Sequence, residues 1–180
     1  MEKIKQNPFV KKVGFNRIVL CCVLLLMYGL FCALTGGSFA GMNRIMSALN
    51  YAYFLGFLSL GVTFVIATGQ IDFSIGPVMF CCALMSGYTL TTHGISMPVA
   101  FLISILVGFA FGLFNGYLVA YWSVPSFITS MASMNIAKGL ASVYTKTQSV
   151  SWPQAADPDN GWFRNLVRYN GFPVGLVILL

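Results

Sequence analysis

Charge is what this sequence has least of. Charged side chains make up 8% of the 180 residues, ten Lys or Arg against four Asp or Glu, where a soluble domain carries roughly 25%. That poverty excludes a soluble enzyme, a nucleic-acid-binding module and a disordered regulator. Histidine is almost missing: His93 stands alone, with no carboxylate near it in sequence. The five cysteines, Cys21, Cys22, Cys32, Cys81 and Cys82, all lie in apolar runs without C-x-x-C spacing. They offer neither a disulfide framework nor a zinc site and read as small packing residues. There is no Walker A loop, no glycine-rich dinucleotide turn and no H-E-x-x-H. Nothing nominates the facing nucleophile and base of an intramembrane hydrolase. The reading is of a protein that is not an enzyme and holds no metal or cofactor.

What is present is apolar: 58% hydrophobic residues, 16 of them Phe. Five cations, Lys3, Lys5, Lys11, Lys12 and Arg17, fall before the first apolar run. A basic flank of this kind marks a cytoplasmic tail, residues 1–17, under the positive-inside rule. Between Ile45 and Ala137 the only charge is Asp72, so no basic stripe exists for phosphates to sit on. The expected fold is an all-α integral membrane protein, a polytopic bundle of about five to six transmembrane segments over residues 18–180.

Ile18–Leu34 is at the lower end of the ~17–25 residues a span needs. Ser38-Phe39-Ala40 could pass for a leader-peptide cleavage site, but Gly36 and Gly37 intervene and further spans follow, which favours an uncleaved helix. Leu49–Thr68 and Phe73–Leu90 follow, then a polar turn at Thr91–Gly94. Pro98–Trp122 is the clearest span, Ser123–Ser126 breaks it, and Phe127–Tyr144, interrupted by Lys138, makes a fifth. Residues 145–171, with Lys146, Asp157, Asp159, Arg164, Arg168, Trp152 and Trp162, read as an external loop with interfacial tryptophans. A final apolar run, Val174–Leu180, is too short to cross a bilayer. The expectation is therefore that the chain is a piece of a longer protein, and the reading frame beyond Leu180 tests it: a continuing frame supports the expectation, an immediate stop codon opposes it.

Asp72 carries the most information. An ionised Asp at the centre of a membrane helix costs about 2.5–3.5 kcal/mol on insertion scales. Gly69 can end one helix in the left-handed conformation, and Asp72 can cap the next. Alternatively, Gly76 and Pro77 mark a discontinuous helix whose unwound residues line a solute path. A helix beginning at Pro77 would be too short to span, leaving irregular backbone inside the membrane. Both readings stay open. Gly108, Gly112 and Gly116 recur every fourth residue, the spacing at which membrane helices pack closely, with Asn115 beside them. After the Ser123 break, Pro125 starts a helix, and Ser126 and Thr129 can satisfy its first backbone groups. Phe127 could stack on a sugar ring.

Thr68-Gly69-Gln70-Ile71-Asp72-Phe73-Ser74-Ile75-Gly76 resembles the T-G-G-I-D-L-S-V-G signature of bacterial ribose/galactose-type ABC importer permeases. Gly112-Leu113-Phe114-Asn115-Gly116-Tyr117-Leu118-Val119 resembles that family's G-x-x-N-G-x-L-I segment, and Val124-Pro125-Ser126-Phe127-Ile128-Thr129 its V-P-S-F-I-x-T-L. The likeness covers about residues 45–180, the N-terminal half of such a permease. Gln70 replaces the usual second glycine, Phe73 the leucine and Ser130 the last threonine. The resemblance implies a permease subunit working with a second permease subunit, a pair of ATP-binding cassette ATPase subunits and an external solute-binding protein in the bacterial plasma membrane. The family's ATPase-docking loop and second set of helices have no counterpart in these residues. Asp72, Ser74, Asn115 and Phe127, polar or ring groups beside helix breaks, are assigned to the translocation path or its support. A secondary transporter with broken helices is the rival reading, and a non-transporting permease remnant the other.

Overall fold

The computed structural model describes residues 15–154, 156–167 and 175. Most of the basic tail, Arg168 and nearly all of the final apolar run lie outside the described residues. Helices account for most of the rest: α1 (Phe15–Leu34), a 3-10 turn (Ser38–Ala40), α2 (Met42–Ala67), α3 (Ile75–His93), α4 (Met97–Ala120), α5 (Ser126–Tyr144) and the short α6 (Phe163–Val167). No strand occurs among the described residues. Arg17–Leu34 of α1 and the whole of α2, α3 and α4 are long and apolar enough to cross a membrane. The chain is a polytopic helical membrane protein. It divides into two compact units, Met1–Ala48 and Leu49–Leu180.

Within the first unit, α1 ends in a left-handed turn at Gly36 and Gly37, and Phe39 folds back against Tyr28 and Phe31 with ring centroids 5.7 and 5.6 Å away. α2 begins at Met42, several residues before the expected Leu49. Its first turn includes Arg44, whose backbone N–H bonds to Gly41. A cation near a helix end breaks an apolar run without breaking the helix, because its long stem can carry the charge to the interface.

In the second unit α3 is central, packed along both α4 and α5. α3 starts at Ile75, not Pro77. Proline there is the third helical residue, where no intrahelical N–H is needed. The helix also absorbs Thr91, Thr92 and His93, expected as a turn; the Thr91 hydroxyl donates back to the Gly87 carbonyl at 2.9 Å and Gly94 closes the helix at φ +62°. Its 19 residues rise ~28 Å, close to a full hydrocarbon core.

α5 packs along α3 and α4 and buries Thr129, Ser130, Ser133, Ala137 and Ala141. Small residues at this spacing let the helix axes approach closely. Two apolar clusters fill the contacts. Cys81, Phe111, Ala137 and Ala141 form one, and Leu90, Met97 and Ala100 the other. Polar rungs join the same helices: Ser104 donates to the Ser86 hydroxyl at 2.8 Å, and the Thr89 and Tyr144 hydroxyls share a 2.8 Å bond.

The stretch after α5 is not a bare loop. Trp152 and Phe163 pack on the Leu90–Met97–Ala100 cluster, Trp162 and Phe163 stack edge-on against Phe101, and Arg164 Nε donates to the Pro153 carbonyl at 2.8 Å. Gly87 makes this possible: a Cβ there would stand 2.7 Å from both Trp152 Nε1 and Val150 Cγ1. Gly87→Ala is therefore expected to lever the 148–163 segment off α3, costing about 1–3 kcal/mol as overpacking does. Faster proteolysis after Tyr144 and a lower unfolding midpoint in detergent are the readouts.

Candidate functional site

The site is built where α2 and α4 end and α3 and α5 begin. α2 terminates in a Schellman arrangement. Gln70 N–H bonds to the Val65 carbonyl at 3.2 Å and Gly69 N–H to Ile66 at 2.9 Å, with Gly69 at φ +73°. That left-handed residue is why glycine stands here. Residues 68–74 are irregular. The break is anchored across the bundle, where Ile71 N–H donates to Ser126 Oγ at 3.3 Å. Ser126 thus serves the break and not its own helix start, where Pro125 occupies the cap position without a side-chain bond. Gly76 and Pro77 lie inside the first turn of α3.

Asp72 turns back on its own chain. Its Oδ1 accepts from the backbone N–H and from the hydroxyl of Ser74, both at 2.6 Å. Ser74 is 2% exposed and stands immediately before α3. Its oxygen in turn accepts from Asn115 Nδ2 at 3.0 Å, and Asn115 Oδ1 accepts from the hydroxyl of Ser133, which is fully buried. One unbroken chain of hydrogen bonds therefore runs Ser133–Asn115–Ser74–Asp72, from α5 through α4 to the break before α3. Bonds to a charged acceptor contribute about 1.5–3 kcal/mol each, so the two on Asp72 pin the break to the residue that opens α3.

Beside this chain lies a cavity of about 370 Å³, walled by Phe64, Thr68, Gln70, Asp72, Asn115 and Ser130 among others. It falls within the ~300–1,000 Å³ usual for small-molecule sites. A second cavity of about 360 Å³, bounded by Leu58, Val78, Cys82 and Phe111, meets the first along Asp72, Gly112 and Asn115. The glycine row divides accordingly. A Cβ on Gly108 would touch Cys82 Sγ at 3.6 Å, an ordinary packing contact, whereas Gly112 and Gly116 face open space and wall the first cavity. Asp72, Ser74 and Asn115 come together. Phe127 does not join them: it is 47% exposed and lines neither cavity. Ser133, Gln70 and Thr68 belong to the site without having been singled out from sequence. The signal for Ser133 was its place in the small, hydroxyl-bearing face of α5. Among the described residues no cluster of metal-ligating side chains exists.

If the chain of bonds is one cooperative unit, Ser74→Ala and Ser133→Ala, which meet only through Asn115, will not be additive. A double-mutant cycle on unfolding in detergent should give a coupling of about 0.5–1 kcal/mol; independent effects would mean two separate pairs.

Comparison with known proteins gives a consistent result. Residues 44–180 match the family described as branched-chain amino acid transport system / permease component. The xylose transport system permease protein of Haemophilus influenzae is 29% identical over 145 residues, covering 79% of this chain and 38% of the relative. The inner membrane ABC transporter permease protein YjfF of Escherichia coli is 34% identical over 139 residues, 77% of this chain and 39% of the relative. The galactofuranose transporter permease protein of the same organism is 36% identical over 115 residues, 64% and 33% respectively. The chain thus spans well under half the length of these curated relatives. No solved structure matches it.

Proposed function

Because the chain belongs to the family of branched-chain amino acid transport system / permease components, we propose that it supplies part of the translocation path of an ATP-driven importer for a sugar or sugar-like solute. The observation that carries this reading is the Ser133–Asn115–Ser74–Asp72 chain set against the 370 Å³ cavity. A neutral polyol needs neutral donors and acceptors against an apolar wall. Gln70, Asn115, Thr68, Ser126 and Ser130 offer amides and hydroxyls, with Phe64 and Val65 beside them. The xylose and galactofuranose permeases among the relatives agree with that chemistry.

In this reading the chain is not an enzyme. ATP is hydrolysed by separate ATP-binding cassette subunits, a second permease subunit completes the path, and an external binding protein delivers the solute. The N-terminus is cytoplasmic, in the bacterial inner membrane. The helix break at residues 68–74 then lies toward the cytoplasm and the 145–167 segment outside. Asp72, Ser74 and Asn115 hold the inner mouth of the path. Phe127, next to Ser126, belongs to its flank.

Uptake of labelled xylose, by the protein expressed with its ATPase and binding protein in cells lacking other pentose importers, tests the reading. Depleting ATP should abolish uptake while collapsing the ion gradient at constant ATP should spare it; the reverse result identifies a secondary transporter. Asp72→Asn and Asn115→Ala should each lower uptake about tenfold or more, the scale of losing one charge-assisted or buried bond, with membrane insertion unchanged. Normal transport by both variants would reduce these residues to caps and packing groups.

A further inference from the structure

Lys138 has no role in the site above. It is the one charged residue of α5, on a helix otherwise of apolar, small and uncharged polar residues, and lies about 9 Å along the axis from Tyr144 at 1.5 Å per residue. α5 is not one of the four helices long and apolar enough to cross a membrane, but it packs along two that are, and a cation carried there needs a counter-charge or a route to water. None of the three described carboxylates, Asp72, Asp157 and Asp159, supplies the first: Asp72 is held by Ser74, the Asp157 carboxylate takes the N–H groups of Asp159 and Asn160 at 3.0 and 2.9 Å, and Lys138 makes no ion pair or hydrogen bond with Asp159 or any other described residue.

The chain instead folds a pocket around it. After Tyr144 the backbone reverses through two successive left-handed residues, Lys146 at φ 51° and Thr147 at φ 57°. This brings Gln148 and Ser149 back over the cavity that Lys138 and Ser142 line, a volume of about 350 Å³. The Lys138 ammonium, the Ser142 and Ser149 hydroxyls and the Gln148 amide all lack protein partners among the described residues. Every one of them can donate, and no carboxylate lines the pocket. Its other wall is apolar, Phe80 and Leu84 of α3. It shares no residue with the two cavities around Asn115.

We propose that this pocket holds an anionic phospholipid, its phosphate on Lys138 with Ser142, Gln148 and Ser149, and an acyl chain along Phe80 and Leu84. The donors match a group with several acceptor oxygens and a negative charge. The apolar wall selects a lipid over free phosphate, since inorganic phosphate has nothing to lay against Phe80. The long apolar stem of Lys138 lets its ammonium serve a headgroup while the stem stays among apolar neighbours.

Native mass spectrometry of the purified full chain in mild detergent, offered equal phosphatidylglycerol and phosphatidylcholine, tests this. Wild type should retain phosphatidylglycerol with a preference of about fivefold, the effect of one cation near an anionic membrane surface. Lys138→Gln should bring the preference to parity, and Lys138→Arg should keep it. The pair Gln148→Leu and Ser149→Ala lies beyond the helix and should at least halve the preference, which decides the matter if Lys138→Gln does not fold. Equal preference in wild type and Lys138→Gln overturns the proposal, as does an unchanged preference in the folded Gln148/Ser149 variant. Complete displacement of the lipid by excess inorganic phosphate also overturns it, and assigns the pocket to the free anion.

Discussion

Lipid tails are as apolar as leucine, so membrane helices gain little by hiding their hydrophobic faces from lipid in one another. α3, α4 and α5 are held by what remains: close approach through small side chains, and polar groups that find no better partner than each other. The Ser133–Asn115–Ser74–Asp72 chain is the longest such connection. It joins α5 and α4 to the break that precedes α3. Individual bonds of this kind average about 0.6 kcal/mol in membrane proteins. A connected set that ends on a carboxylate is worth more than isolated pairs, because each bond polarises the next.

The same constraint shapes the cavities. Residues whose side chains are spent on the connection cannot close the space beside it, and Gly112 and Gly116 add no side chain to do so. Irregular backbone at 68–74 is tolerated because its polar groups are met within the protein: Gln70 and Gly69 by the end of α2, Ile71 by Ser126, Ser74 by Asp72. A buried break without such partners would leave several backbone groups unsatisfied, each at a cost of about 1–3 kcal/mol.

Much of the architecture was written in the apolar runs. Their lengths and the proline and glycine punctuation located five long helices, and the errors fell at the ends. Arg44 hid the first turns of α2, and Thr91–His93 looked like a turn because hydroxyls bonding to carbonyls one turn back are invisible as sequence. Pro77 suggested a start, where in fact it is the third residue of α3 and needs no N–H. The site was legible only in parts. Asp72, Ser74 and Asn115 stood out as polar groups in apolar surroundings. Their connection did not, since Asn115 and Ser74 are 41 positions apart and Asn115 and Ser133 are 18. Such a contact follows from helix direction and register, which no local pattern encodes. Phe127 stands in a motif beside Ser126, yet it lines neither cavity around Asn115. Ser133 passed unnoticed among equally small neighbours.

The hydrogen-bond chain also has a direction. A carboxylate has no proton to give, so Ser74 must point its hydroxyl hydrogen at Asp72 and is left with only lone pairs for Asn115. Asn115 must then turn its amide nitrogen toward Ser74 and its oxygen toward Ser133, which fixes the hydrogen of that last hydroxyl as well. One negative charge in the break before α3 thereby sets the orientation of an amide on α4 and a hydroxyl on α5. Each of those groups has a single rotamer and flip state consistent with it. The carboxylate acts as a compass for the whole line, orienting a hydroxyl three hydrogen bonds away without any helix having to move.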